Sequence, residues 1–282
     1  MAAQNIAFRK TKDGIFQGVV IALSIVSTLP LFFILYFIFK EGISSISWEF
    51  LMNLPKPVGE EGGGIANALV GTSILILLAS ACSLPIGIIV GIFLSEYPRS
   101  KLTYWVSLSM EVLQGIPSIV IGIIAYLWIV RPMGGFSALS GGIALGIMML
   151  PVVVRTTEET LKLIPKNLKE ASLALGAPYY LTILRVILPA GFSGIITGIL
   201  VSLARIAGET APLLFTAFGS PFMSTNIFKP MSSLPAIIFN YAISPYDDWH
   251  ALAWGASFVL VAFVLLLNIS AKLIAQRWSV RF

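Results

Sequence analysis

Six runs of about twenty apolar residues dominate this chain, and they leave it few ways to fold. They fall at residues 16–39, 65–94, 112–130, 137–154, 190–214 and 251–275. A hydrocarbon core roughly 30 Å thick is crossed by about 20 residues of helix. Lipid offers no partner to a free backbone amide, and runs of this length are too long for barrel strands, so each is expected to be α-helical. The expected fold class is all-α, an integral membrane protein with six transmembrane helices. Composition agrees: of 282 residues, 57% are hydrophobic and 11% charged, against roughly 25% charged in soluble domains. The single Cys82 lies inside an apolar run, so no disulfide framework is possible.

Arg9, Lys10 and Lys12 precede the first run. That run is too long for the core of a signal peptide and no small-residue cleavage site follows, so it reads as a retained first span. Basic residues mark the cytoplasmic side of a membrane protein. Arg9, Lys10, Lys12, Arg99, Lys101, Arg155, Lys162, Lys166, Lys169, Arg185, Lys272, Arg277 and Arg281 fall on one side, against Lys40, Lys56, Arg131 and Lys229 on the other. Both termini and the segment between the fourth and fifth spans are therefore expected in the cytoplasm. The net charge of +5 serves orientation in the bilayer, not nucleic-acid binding. The loops at 40–64 and 215–250 are expected outside, with Glu60, Glu61, Asp247 and Asp248 among their acids. Gly62, Gly63 and Gly64 read either as a loose linker or as part of a docking site for an external partner. Trp249 and His250 mark the membrane interface; one histidine makes no metal site.

The segment between spans four and five has its own pattern. Residues 166–175 form an amphipathic helix candidate, with Leu168, Ala171 and Leu175 on one side and Lys166, Lys169 and Glu170 on another. Gly176 and Pro178 end it, and a second short helix over 179–186 precedes Pro189, which opens span five. Physics alone leaves two readings, a connector lying on the lipid surface or a docking element. Glu170-Ala171-Ser172, Gly176 and Val186-Ile187-Leu188-Pro189 stand at the spacings of the EAA loop, and the segment resembles that of type I ABC importer permeases. Ser172 and Val186 depart mildly from that pattern. The resemblance implies a MetI-like core of five helices over 65–275, with the coupling loop at 165–190. Residues 1–64 would add an N-terminal tail, a first helix and an external loop, and 276–282 a cytoplasmic tail. It also implies that Glu170, Ala171, Ser172 and Gly176 dock a separate ATPase subunit. The sequence holds no P-loop, so this chain is expected to be no enzyme and to bind no cofactor itself, ATP and magnesium belonging to partner subunits.

Span five carries charge. Ser202, Arg205 and Glu209 stand at i, i+3 and i+7 on one helical face, which Gly194 and Gly198 continue as a small-residue stripe. At about 1.5 Å per residue Arg205 lies roughly 22 Å beyond Ala190, past the membrane midplane. A charge at such depth costs roughly 2.5–3.5 kcal/mol. Chemistry alone leaves a self-neutralising Arg205–Glu209 pair and an anion-binding arginine equally open. The stretch A-R-I-A-G-E-T-A-P-L resembles that of the phosphate-importer branch of the family. Gly115-Ile116-Pro117-Ser118-Ile119-Val120 and the segment PVVVRTTEE at 151–159 resemble it too. That resemblance implies a substrate pathway lined by Arg205 and Glu209, with Ser202 beside them on the same face and Arg155 a second functional arginine; a basic residue ending a span is also what topology alone predicts.

Pro117 in span three could kink the helix and leave Ser118 free to meet substrate, though most such prolines only adjust packing. Glu111 and Gln114 are expected in the headgroup zone. The implied assembly adds a homologous phosphate permease, two ATPase subunits and an external phosphate-binding protein in the bacterial inner membrane. Other cargoes, such as sulfate, molybdate or a small solute, and a passive anion channel remain the alternatives.

Overall fold

The computed structural model describes residues 2–60 and 62–277. Glu61, Arg281 and the rest of the tail from 278 lie outside the described residues. Helix is the sole regular structure among them. The chain runs through α1 (Ala2–Ser44), α2 (Trp48–Met52), α3 (Ala66–Glu96), α4 (Lys101–Gly115), α5 (Ser118–Ala125), α6 (Arg131–Met133) and α7 (Ala138–Lys162). It continues through α8 (Lys166–Ala174), α9 (Tyr179–Thr182), α10 (Leu188–Ala207), α11 (Ala211–Leu214), α12 (Leu234–Ala242) and α13 (Asp247–Arg277). Five helical stretches among the described residues are long and apolar enough to cross a membrane, and α4 with α5–α6 makes a sixth, broken span.

Two expectations about the spans need correction. Span three is not one helix over 112–130: Lys101–Gly115 and Ser118–Met133 meet at 104°. Pro117 forces the preceding residue out of the helical region, and Ile116 and Pro117 are both extended there (ψ 129° and 138°). Span five starts and ends earlier than expected. The short second helix is not separate, because helix runs unbroken from Tyr179 to Ala207. Pro189 is absorbed by a π turn over Ile183–Ile187, where the Leu188 amide donates to the Ile183 carbonyl. A matching π turn over Tyr126–Val130 stands at the same offset before Pro132. A proline ring would strike the carbonyl four residues back, and widening the preceding turn by one residue makes room.

Close packing centres on α7. Its Val153 and Thr157 lie against Gly87 and Gly91 of the parallel α3. On another face, Thr156 and Thr160 receive Gly198 and Gly194 of the antiparallel α10, so the small-residue stripe seats α7. A Cβ at position 198 would come 2.2 Å from Thr156 Oγ1, so only glycine permits this approach. The resulting core joins Leu75 and Ala79 of α3, Met149 and Val153 of α7, Ile206 and Ala207 of α10, and Leu213 of α11. A second core, at the α2 and α12 end, joins Phe50, Ile65, Leu234, Ile237 and Ala256.

α1 stands apart. Its residues 8–37 are all exposed, and it meets the bundle near Gly42, which lies against Phe258 and Trp254 of α13. The glycines at 62–64 are no loose linker. Gly64 donates to the Leu54 carbonyl, Ile65 to that of Phe50, and the Asn53 amide to that of Gly62. The irregular segment 215–233 also folds back into the protein. Ser140 Oγ donates to the Thr216 carbonyl, Asn67 Nδ2 to that of Ser220, and the Leu234 amide to Thr72 Oγ1.

Candidate functional site in the charged bundle

Arg205 occupies the last turn of α10, at the far end of the Tyr179–Ala207 helix from α8. Gly208 caps that helix and Glu209 lies beyond it, so Glu209 does not share the helical face with Ser202 and Arg205 as its spacing suggests. The chain bends instead, and Arg205 Nε still comes 4.0 Å from Glu209 Oε1. The arginine side chain is 43% exposed and the carboxylate 21%, an arrangement that leaves the guanidinium open to a further anion. Ser202 continues the glycine stripe but is fully buried, and its hydroxyl donates to the Ile199 carbonyl. After Glu209 the chain enters α11, and Pro212 packs on Gly122 of α5. Two motifs singled out in the sequence, around Pro117 and around Glu209, thus meet through these helices. Ser118, half-buried, opens α5 directly after the break.

Arg155 belongs to a separate cluster nearer α8. Its guanidinium donates to Glu158 Oε2 at 3.2 Å and to Glu111 Oε1 of α4. Glu158 also accepts from Lys162 Nζ at 2.6 Å. The two carboxylates are unlike: Glu158 is 4% exposed and Glu111 61%. Glu111 is thus a partner of Arg155 from another helix. Glu158 was legible as a neighbour three residues on, within the PVVVRTTEE segment; the pairing with Glu111 carried no sequence signal.

The segment after α7 makes the compact turn that Gly176 and Pro178 suggest. Gly176 adopts φ +83°, a conformation that suits glycine, and Ser172 Oγ meets Thr182 Oγ1 at 2.9 Å across the turn. Its sidedness differs from expectation. Lys169 turns inward to Glu96 at the end of α3 and to the Tyr179 hydroxyl. Burial alone would lower the pKa of the Lys169 ammonium, but the hydrogen bonds it donates to Glu96 and Tyr179 outweigh burial and hold it above its ordinary value. Leu175 lies past the end of α8 and is 89% exposed, not part of a buried face. Glu170 and Ala171 are exposed as well, alongside Leu173 and Tyr180. An exposed apolar set around one carboxylate is the make-up of an interaction surface.

His250 Nε2 lies 2.8 Å from the Ser244 carbonyl, and Trp249 stacks on Tyr241 with ring centres 4.7 Å apart. Among the described residues no three His, Cys, Asp or Glu side chains are placed to hold a metal.

A family model described as "Binding-protein-dependent transport system inner membrane component" matches residues 83–280. The chain belongs to that family. Its apolar helices and this membership make it a multi-pass membrane protein. Within the family, it is 42% identical over 272 residues to the phosphate transport system permease protein PstA of Yersinia pestis, covering 95% of this chain and 91% of that one. It is 43% identical to PstA of Xylella fastidiosa strain 9a5c, over 84% of this chain and 83% of that one. It is 37% identical to a probable PstA of Methanocaldococcus jannaschii, over 94% of each. Among solved structures, an inward-facing MetNI methionine ABC transporter superposes with a TM-score of 0.65 at 20% identity, covering 77% of this chain and 96% of that one. The likeness is one of fold, the MetI-like permease core.

Proposed function

We propose that this chain is a transmembrane permease subunit of an ATP-driven importer and that its cargo is inorganic phosphate. The observation that carries the reading is the near-full-length identity to permeases named for phosphate transport. The half-exposed Arg205, with the Glu209 carboxylate 4.0 Å away, supplies the chemistry. A guanidinium donates parallel hydrogen bonds to an oxyanion. A carboxylate beside it accepts from phosphate, which keeps a proton near neutral pH, and repels fully ionised sulfate. Arg155 and Ser118 are further positions on the same route. Ser202 supports it from within the helix packing.

The excess of basic residues around α8 puts that end, and both termini, in the cytoplasm. There Glu170, Ala171, Ser172 and Gly176 form the dock for an ATPase subunit, supported by the exposed Leu173, Leu175 and Tyr180. ATP and magnesium act on that partner; this chain converts its closure into helix movement. A homologous permease completes the membrane unit, and an external phosphate-binding protein delivers the anion at the α2 and α12 end. Closure of the ATPase pair opens the outer side and exposes Arg205; hydrolysis returns the route to the cytoplasm. Each negative charge carried inward against the membrane potential costs about 2.3 kcal/mol per 100 mV, which is why passive flow does not suffice.

The test is phosphate uptake by the reconstituted complex. Arg205→Gln should abolish uptake while the subunits still assemble, and Glu170→Lys should release or uncouple the ATPase. Full uptake by both variants would overturn the reading.

A further inference from the structure

Arg155 is already occupied by this chain's own carboxylates, and the way it is occupied has a consequence for release of the cargo. Two acids share the guanidinium. Glu158 is 4% exposed and is held from its other side by Lys162 at 2.6 Å; withdrawing it would strand a buried charge, which is strongly disfavoured. Glu111 is 61% exposed and comes from α4, the first limb of the span that breaks at Ile116 and Pro117. An exposed carboxylate gives up such a contact at little cost, because water takes the place of the arginine. The contact that an incoming oxyanion replaces at least cost is therefore the one with the Glu111 carboxylate.

We propose that Glu111 is an exchangeable internal ligand of Arg155, displaced by the oxyanion on its way to the cytoplasm and returning to expel it. The proposal rests on the transport reading above. Glu158 is the fixed partner that orients the guanidinium. Glu111 is the mobile one, and its return makes the last step directional by lowering the affinity of the inner station for the anion just delivered. No covalent bond is made or broken; one carboxylate and one oxyanion compete for the same donors. Because Glu111 rides on α4 and Arg155 on α7, each exchange also unties and reties the two helices at their α8 end.

The experiment is ATP-driven uptake into proteoliposomes loaded with graded concentrations of phosphate on the cytoplasmic side, for the wild-type complex and for Glu111→Gln and Glu111→Asp. With the competitor gone, the internal phosphate concentration that halves uptake should fall about fivefold in Glu111→Gln, the weight of one half-exposed ion pair. Glu111→Asp, which keeps the charge, should stay near wild type. A merely structural tie would lower assembly or rate without moving that concentration, and an unmoved value in Glu111→Gln overturns the proposal. A wild-type complex that imports a different oxyanion overturns the phosphate reading alone, since the same comparison is then made with that anion. A wild-type complex that imports none overturns both.

Discussion

Pro212 of α11 lies directly against Gly122 of α5, and the space a side chain would need at 122 is taken. A Cβ there would stand 2.7 Å from Pro212 Cα and 3.3 Å from the Phe215 ring. This contact joins the second limb of the broken span to the segment that follows Arg205 and Glu209. It couples two regions that lie about ninety residues apart in the chain.

Gly122→Ala should therefore force α5 and α11 apart. Overpacking of this kind costs about 1–3 kcal/mol, and the purified permease should melt at a lower temperature and carry phosphate more slowly. Gly115→Ala is the matched control, since nothing lies within 4 Å of a Cβ at that position. Equal melting temperatures for the two variants would refute the contact.

Under the proposed function, Glu209 accepts the phosphate proton and its charge repels sulfate, and Glu209→Gln removes both. Competition assays should show sulfate inhibiting phosphate uptake more strongly in this variant than in wild type. Arg205→Lys keeps the charge but loses the planar pair of donors, so its uptake should fall well below wild type. Unchanged sulfate competition in Glu209→Gln would assign the carboxylate to structure alone.

The reach of the sequence into this molecule differs from element to element. Long runs such as 66–96 were legible because every side facing lipid must be apolar, whatever the tertiary contacts. The break at Ile116 was harder to read, since a span drawn over 112–130 runs across it and Pro117 is what marks the bend. At the end of α10 the i, i+4 spacing of Arg205 and Glu209 suggested continuing helix, whereas Gly208 and the nearby Pro212 were the stronger signal. Partners drawn from other helices could not be read at all. Glu111 and Arg155 are 44 residues apart, and Glu96 and Lys169 are 73 apart; such pairs exist only once the helices have packed.

Lys169→Met cuts the tie between α8 and the end of α3. Amide hydrogen exchange in α8 should accelerate, while exchange in α13, which has no part in the tie, stays as in wild type. The native Lys169 is held above its ordinary value, so its contribution is complete below the unfolded lysine value of about 10.4. That contribution is lost only as pH rises through the higher folded value. Exchange in α8 of the wild-type protein, corrected for intrinsic rate, should thus be flat from about pH 6 to 8 and rise only in strongly alkaline solution.

Gly198→Leu tests the seat of α10 on α7, where Thr156 leaves no room for a side chain. The variant should lose about 1–3 kcal/mol or more and fail to transport even though Arg205 and Glu209 are intact. A fully active Gly198→Leu would show that the two helices separate freely.

The unbroken helix from Tyr179 to Ala207 spans 29 residues, and it begins at the dock and ends at Arg205. At about 1.5 Å per residue it is a strut roughly 40 Å long, stiffened along its middle by glycines seated on α7. Pivoting such a strut by about 10° around one end carries the other through about 7 Å, by the geometry of a rod of that length. A displacement of that size exceeds the width of a phosphate ion, so under the proposed function a small rocking at the α8 end is enough to present Arg205 to one side of the membrane and then withdraw it.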